Sequence, residues 1–349
     1  MSLFKDNIES MAAYVPGEQP RTPGPIVKLN QNENPYPPSP KALAVLREFD
    51  GSTLRLYPDP MVTRFRQAAA ELMGVGVDWI LPGDGSDDLI IMIARAAAGP
   101  GRPVAYPHPT FPFYFTQAKI ENAPVVRVPC DDEFSLPLEA LAMAKAAVTF
   151  VASPNSPTGA TASPDRLDWL AGKLKGLLVL DEAYVDFADQ NAAALATRRP
   201  NVIVLRTLSK GYSLAGLRLG FGLASPKLMD GLLKTKAIYN VGPLPAAVGA
   251  AALADQDYHK RCVALIRAQR DRLARELAAR GFGVYPSGGN FLMVAVPSGD
   301  GRAAFEALKA RGVLVRYFNE DTLTDKLRIS VGTEQENTAL LAAIDAGRG

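Results

Sequence analysis

Five short segments of this chain, residues 102–106, 125–128, 148–152, 177–180 and 202–205, are apolar at nearly every position and rich in β-branched side chains. A strand with one wet face alternates apolar and polar residues. A run without that alternation needs cover on both faces, which a parallel sheet between helices supplies. Residues 89–98, before the first run, and 138–146 and 164–174, between later ones, read as the covering helices. The alternation predicts an α/β fold with a mostly parallel sheet.

The flanking regions differ from this core. The first forty residues are rich in Pro and Asn with little periodicity and read as an irregular arm. A helix is expected over 61–73, with Phe65, Ala69, Leu72 and Met73 on one stripe and Gly74 and Gly76 after it. The pattern shifts near residues 239–245. Beyond lies a long charged helix over 258–280, with Cys262, Leu265, Ile266, Leu273 and Leu277 on its apolar stripe and Gly281 as its stop. Then come a strand, a helix over 302–311, strands over 313–318 and 327–331, and a last helix. The organisation expected is an arm (1–40), a large domain (41–240) and a smaller α/β domain (241–349), in keeping with about 150 residues per domain.

Several function classes drop out on composition. The 38 Lys and Arg balance 36 Asp and Glu, and no basic cluster marks a nucleic-acid surface. Two cysteines, Cys130 and Cys262, and two histidines, His108 and His259, give neither a disulfide framework nor a zinc site. The longest uncharged stretch, 237–254, is interrupted by Asn240, Gly242, Pro243, Pro245 and Gly249, so it reads as a loop and a small-residue helix rather than a membrane span. Residues 1–20 carry Lys5, Asp6, Glu9 and Glu18 and no apolar targeting core, so a soluble, cytoplasmic protein is expected.

In open α/β sheets, ligands bind beyond the carboxyl ends of the strands. Three such ends carry polar clusters: Ser153 to Gly159, Asp181 to Tyr184, and Arg206 to Lys210 followed by Arg218. Lys210 follows a buried strand without neighbouring charges; it is either a surface loop lysine or a desolvated amine nucleophile. Asp181, after four apolar residues, suits a helix cap, a structural salt bridge or the partner of a pyridinium nitrogen. The stretch Gly83-Asp-Gly-Ser-Asp-Asp88 precedes an apolar helix and suits either an ordinary cap or a phosphate cradle, with Arg218 as counter-charge. Lacking a third glycine, it is not a dinucleotide fingerprint, so a dehydrogenase is not expected. Phe111, between prolines, is either loop packing or a face for a flat ring.

Taken in order, Asn32-Glu-Asn-Pro35, Gly83-Asp-Gly-Ser-Asp87, Ser153-Pro-Asn-Ser-Pro-Thr-Gly159, Asp181-Glu-Ala-Tyr184, Leu208-Ser-Lys210, Leu214-Ala-Gly-Leu-Arg218 and Leu327-Arg-Ile-Ser-Val-Gly332 resemble the pyridoxal-phosphate aminotransferases of fold type I. Within that family the chain is most similar to the histidinol-phosphate enzymes. The resemblance implies a seven-stranded sheet in the large domain and pyridoxal 5'-phosphate as cofactor. Lys210 would hold the cofactor covalently and shuttle a proton. Asp181 would pair with the ring nitrogen, Asn155 and Tyr184 with the ring oxygen, and Phe111 would stack on the ring. Gly85, Ser86, Asp87, Thr207, Ser209 and Arg218 would hold its phosphate. Tyr57 would reach the phosphate of a neighbouring subunit, implying a homodimer with shared sites. Tyr14, Asn32, Arg316 and Arg328 would serve the substrate side, although Arg316 also reads as an exposed strand residue.

Phe111 and Ser156 stand where the family often has tyrosine and asparagine, and Gly211 where a larger residue is usual. The activity implied is amino transfer between L-histidinol phosphate and 2-oxoglutarate in histidine biosynthesis. Alternatives are an aromatic amino-acid aminotransferase and a threonine-phosphate decarboxylase. An effector-binding module of a transcription regulator is disfavoured, because the arm is too short for a DNA-binding domain.

Overall fold

A computed structural model describes residues 3–13 and 26–347; Tyr14 lies outside the described residues. In chain order the strands are β1 (Val27–Lys28), β2 (Ile80–Gly83), β3 (Val104–His108), β4 (Val125–Pro129), β5 (Val148–Ala152), β6 (Leu177–Asp181), β7 (Val202–Thr207), β8 (Gly220–Leu223), β9 (Gly283–Val284), β10 (Phe291–Ala295), β11 (Val313–Leu314), β12 (Arg316–Tyr317) and β13 (Lys326–Ser330). Seven pair into one sheet in the order β2-β8-β7-β6-β5-β3-β4. Only β8 runs against its neighbours. The five apolar runs of the sequence are its five parallel strands.

Their lack of alternation has the expected cause. Leu178, Leu180, Val202 and Val204 point into one core, with Leu167 and Leu170 of the helix Pro164–Lys173. Val179, Ile203, Leu205 and Phe150 point into the other, with Leu89, Ile90 and Ile93 of the helix Gly85–Ala97. Each such side chain contributes roughly 1.5–3 kcal/mol of burial. Register then aligns the strand ends: Ala152 lies opposite Asp181, Asp181 opposite Leu205, and Gly220 opposite both Thr207 and Gly83.

The smaller sheet is antiparallel, in the order β12-β13-β10-β9. It packs Leu292, Val294, Leu327 and Ile329 against Leu273 and Leu277 of the helix Gln256–Ala279. The segment 313–318 is not one strand: β11 pairs with β1, and β12 with β13. The arm is therefore less irregular than its composition suggests, since Val27 lies in parallel register with Val313. Farther upstream, Asn7 Nδ2 donates to the carbonyl of Lys119 at 2.8 Å, near the end of the helix Phe113–Ile120. Among the described residues no helix is long and apolar enough to cross a membrane.

Candidate active site

The aligned ends of β5, β6 and β7 open into a cavity of about 540 Å³, within the range of small-molecule sites. Its wall includes Ser86, Asp87, Phe111, Asp181, Tyr184, Thr207, Ser209, Lys210, Arg218, Arg316 and Arg328. Lys210 follows β7, and its Nζ donates to the Gln31 carbonyl at 3.0 Å. Asn34 Nδ2 donates to the carbonyls of Lys210 and Gly211, at 3.0 and 3.2 Å, so the arm holds this loop from the outside.

Asp181 is the last residue of β6 and is buried. Burial pushes its carboxyl up to about 6, against the hydrogen bond from Tyr114 and the backbone N–H of Ala183. The Tyr114 hydroxyl donates to Oδ2 at 2.6 Å, and its ring stacks on Phe150 at 4.6 Å. Phe111 meets Tyr114 edge-on at 5.7 Å while lining the cavity. Burial opposes ionisation of Tyr184, but Lys210, Arg328 and the Asn32 hydrogen bond outweigh it and hold the phenol below its ordinary value. Asn32 Nδ2 donates to the Tyr184 hydroxyl at 3.1 Å. Asn32 is itself fixed by Ser330 Oγ, which accepts from its backbone N–H at 2.8 Å, and by Asn290 Nδ2, which donates to its carbonyl at 2.9 Å.

At one end the helix Gly85–Ala97 presents its N-terminus. Gly85 has φ +73°, and a Cβ there would sit 2.6 Å from Arg218 Nη2. A Cβ on Gly220 would meet the Ser86 amide nitrogen at 2.8 Å. Thr207 Oγ1 donates to Ser209 Oγ at 2.9 Å, and Arg218 Nη2 donates to Asp87 Oδ2 at 3.1 Å. Free helix N–H groups, two hydroxyls and a guanidinium make this an anion cradle.

At the other end β12 and β13 place Arg316 opposite Arg328. Both guanidiniums lie over Phe318, at 5.4 and 5.6 Å from its centroid. Arg328 also donates to Ser156 Oγ at 3.0 Å and to the Asn30 carbonyl at 2.9 Å. Arg316 thus joins the cavity rather than a solvent-facing strand surface.

Three expected residues stand apart. Asn155 is buried beside the cavity: its Nδ2 donates to Pro109 O and Thr158 Oγ1, each at 2.9 Å, and its Oδ1 accepts from Thr110 at 2.5 Å. Tyr57 is 83% exposed, away from this cavity, and stacks on Tyr239 at 4.7 Å. Tyr14 is outside the described residues. Sequence reasoning passed over Tyr114, which reads as one more aromatic on a packed helix, and Gln31, which acts through its carbonyl and leaves no side-chain signal. Asn34 lies in the Asn32–Pro35 motif, and its hold on the Lys210 loop comes from tertiary approach alone.

Class I and II aminotransferases match residues 24–344. Histidinol-phosphate aminotransferase 1 of Trichormus variabilis is 49% identical over 343 residues, covering 98% of each chain. The Geobacter sulfurreducens histidinol-phosphate aminotransferase is 41% identical over 347 residues, covering 99% of each. The structure of the Sinorhizobium meliloti histidinol-phosphate aminotransferase, solved in complex with pyridoxal-5'-phosphate, superposes with a TM-score of 0.89 at 29% identity, over 99% of this chain and 97% of that one. With likeness of this depth running from arm to last helix, the chain belongs to the class I and II aminotransferases, among the histidinol-phosphate aminotransferases.

Proposed function

We propose that the chain transfers an amino group between L-histidinol phosphate and 2-oxoglutarate, giving imidazole acetol phosphate and L-glutamate, with pyridoxal 5'-phosphate as cofactor. The cavity fits that cofactor on its own terms. A buried carboxyl held at about 6 meets its match in a cationic ring nitrogen, and the Gly85 cradle suits a phosphate. Lys210 would hold the group covalently, Asp181 its nitrogen, Tyr184 its ring oxygen, and Ser86, Thr207, Ser209 and Arg218 its phosphate. Asn155 orders the loop beside the ring; Asp87, already paired with Arg218, orients the guanidinium.

Bound there, the cofactor supplies an electron-withdrawing ring that stabilises charge developing at the substrate α-carbon. Lys210 Nζ, once the incoming substrate amine has displaced it from the cofactor, would be free to remove and return the proton at that carbon. Tyr184 and Asn32 fix the polar edge of the site, and Phe111 excludes water from one side. Arg316 and Arg328 bind the substrate anion: the phosphate in one half-reaction and a carboxylate of glutamate in the other. The pairing of these arginines across β12 and β13 carries the reading toward a phosphorylated donor. Residues 41–240 would form the cofactor-binding domain and 241–349 the smaller one.

A shared dimer site follows from Tyr57. It is exposed beside Leu54, Leu56, Ile238 and Tyr239, an apolar patch suited to a second copy of the chain, and in that copy it would reach the phosphate cradle.

The direct test is the purified protein with histidinol phosphate, phenylalanine and threonine phosphate as donors, following cofactor absorbance in each half-reaction. Histidinol phosphate is expected to lead in kcat/KM by about 100-fold, or ~2.7 kcal/mol. Parity among the three donors would leave only an aminotransferase of broad specificity. Borohydride treatment followed by peptide mapping should place the label on Lys210.

A further inference from the structure

Four carboxyl groups line the cavity, and three have partners that account for them: Asp181 with Tyr114, Asp87 with Arg218, and Glu33 with Lys28. The fourth, Glu320, is half-exposed, and among the described residues its basic neighbour within ion-pair range is an imidazole: His108 Nε2 stands 3.9 Å from Oε2. Glu320 is not placed there by accident of an unrelated loop. Phe318 and Glu320 follow Arg316 at alternate positions just past the end of β12, and all three line the cavity.

A carboxylate two positions beyond the Arg316–Phe318–Arg328 anion site opposes the general purpose of that site. Glutamate and 2-oxoglutarate bring two carboxylates each, and a fixed negative charge beside them repels rather than holds. A donor that carries a phosphate at one end and an N–H-bearing ring at the other gains from both features. Its anion takes the two guanidiniums, and its ring N–H finds an acceptor in Glu320. His108 Nε2, at 3.9 Å, lies beyond hydrogen-bond length, so this carboxylate keeps its capacity to accept from a ring N–H of the donor. Selectivity built in this way uses attraction of one donor together with repulsion of its competitors.

We infer that Glu320 is a specificity-determining residue, its carboxylate accepting the ring N–H of an imidazole-bearing donor while Arg316 and Arg328 hold the phosphate. The inference rests on the amino transfer proposed above and names the group that selects the donor.

The test compares holoenzyme half-reactions of wild type, Glu320→Gln and Glu320→Ala with histidinol phosphate, with threonine phosphate, which has the phosphate without the ring, and with glutamate. Glu320→Ala should lower kcat/KM for histidinol phosphate about ten-fold, and Glu320→Gln somewhat less, while the other two donors stay within about two-fold or speed up. Equal losses on all three donors, or no loss on histidinol phosphate, would overturn the inference and leave the function standing. A loss of the same size and selectivity in His108→Gln would assign the effect to the His108–Glu320 contact and also overturn it. A wild type that reacts with glutamate but not with histidinol phosphate would overturn the function and this inference together.

Discussion

Burial of the Asp181 carboxyl carries a cost to the fold that depends on pH. The carboxyl rises from the ordinary 3.8 to about 6 because it is buried. A raised carboxyl favours the folded state at acid pH; that contribution is fully present below pH 3.8 and is lost as pH rises through about 6. The gap corresponds to about 3 kcal/mol. Urea unfolding of cofactor-free protein should therefore show Asp181→Asn gaining on wild type between pH 4 and 7, by up to about 3 kcal/mol. A difference that stays flat with pH would show that the carboxyl is not strained in the empty fold. Arg316 makes the second prediction at this scale. A phosphate dianion gains charge-assisted hydrogen bonds of roughly 1.5–3 kcal/mol from such a guanidinium. Arg316→Ala should then cost histidinol phosphate about 10- to 100-fold in kcat/KM and cost phenylalanine much less. Equal losses in steady-state kinetics would argue against a phosphate site built on both arginines.

Strands and loops meet tightly where β8 crosses the anion cradle. A Cβ on Gly220 would lie 2.7 Å from the Arg206 carbonyl and 2.8 Å from the Ser86 amide, both backbone atoms that cannot swing aside. Gly220→Ala is expected to lower stability by about 1–3 kcal/mol and to weaken cofactor retention on dialysis; unchanged retention would mean the cradle tolerates a shift of β8. The same strand shows what sequence could and could not reveal. The five parallel strands were legible because burial on both faces leaves runs such as Leu177 to Leu180 unbroken. β2 and β8 were not, since Ile-Leu-Pro-Gly and Gly-Phe-Gly-Leu carry the glycine and proline that ordinarily mark turns. Pro82 is tolerated because β2 is an edge strand. Lys210 and Asp181 stood out as candidates because strand-end chemistry is local, whereas a role for Tyr184 came only from the family resemblance. Tyr114 and the Gln31 carbonyl did not stand out, because their roles come from tertiary approach alone.

In the whole molecule, one copy of the chain holds Lys210 and leaves Tyr57 outside its own cavity. If the site is shared, Tyr57→Ala mixed with Lys210→Ala should regain partial activity after subunit exchange, because one of the two sites in a heterodimer then has both residues. No recovery in heterodimers verified by mass would make each subunit self-sufficient. The arm has a different consequence, one of timing. Asn32, which touches Tyr184, is fastened to Ser330, and the two lie 298 positions apart in the chain. Contacts that close so long a loop form late in folding. A nascent chain therefore carries its lysine and its phosphate cradle on a sheet whose strands are already complete, yet the polar edge of the site waits for β13. A contact of that span cannot form before β13 has been synthesised, so the polar edge beside Tyr184 is the last part of this cavity to be assembled.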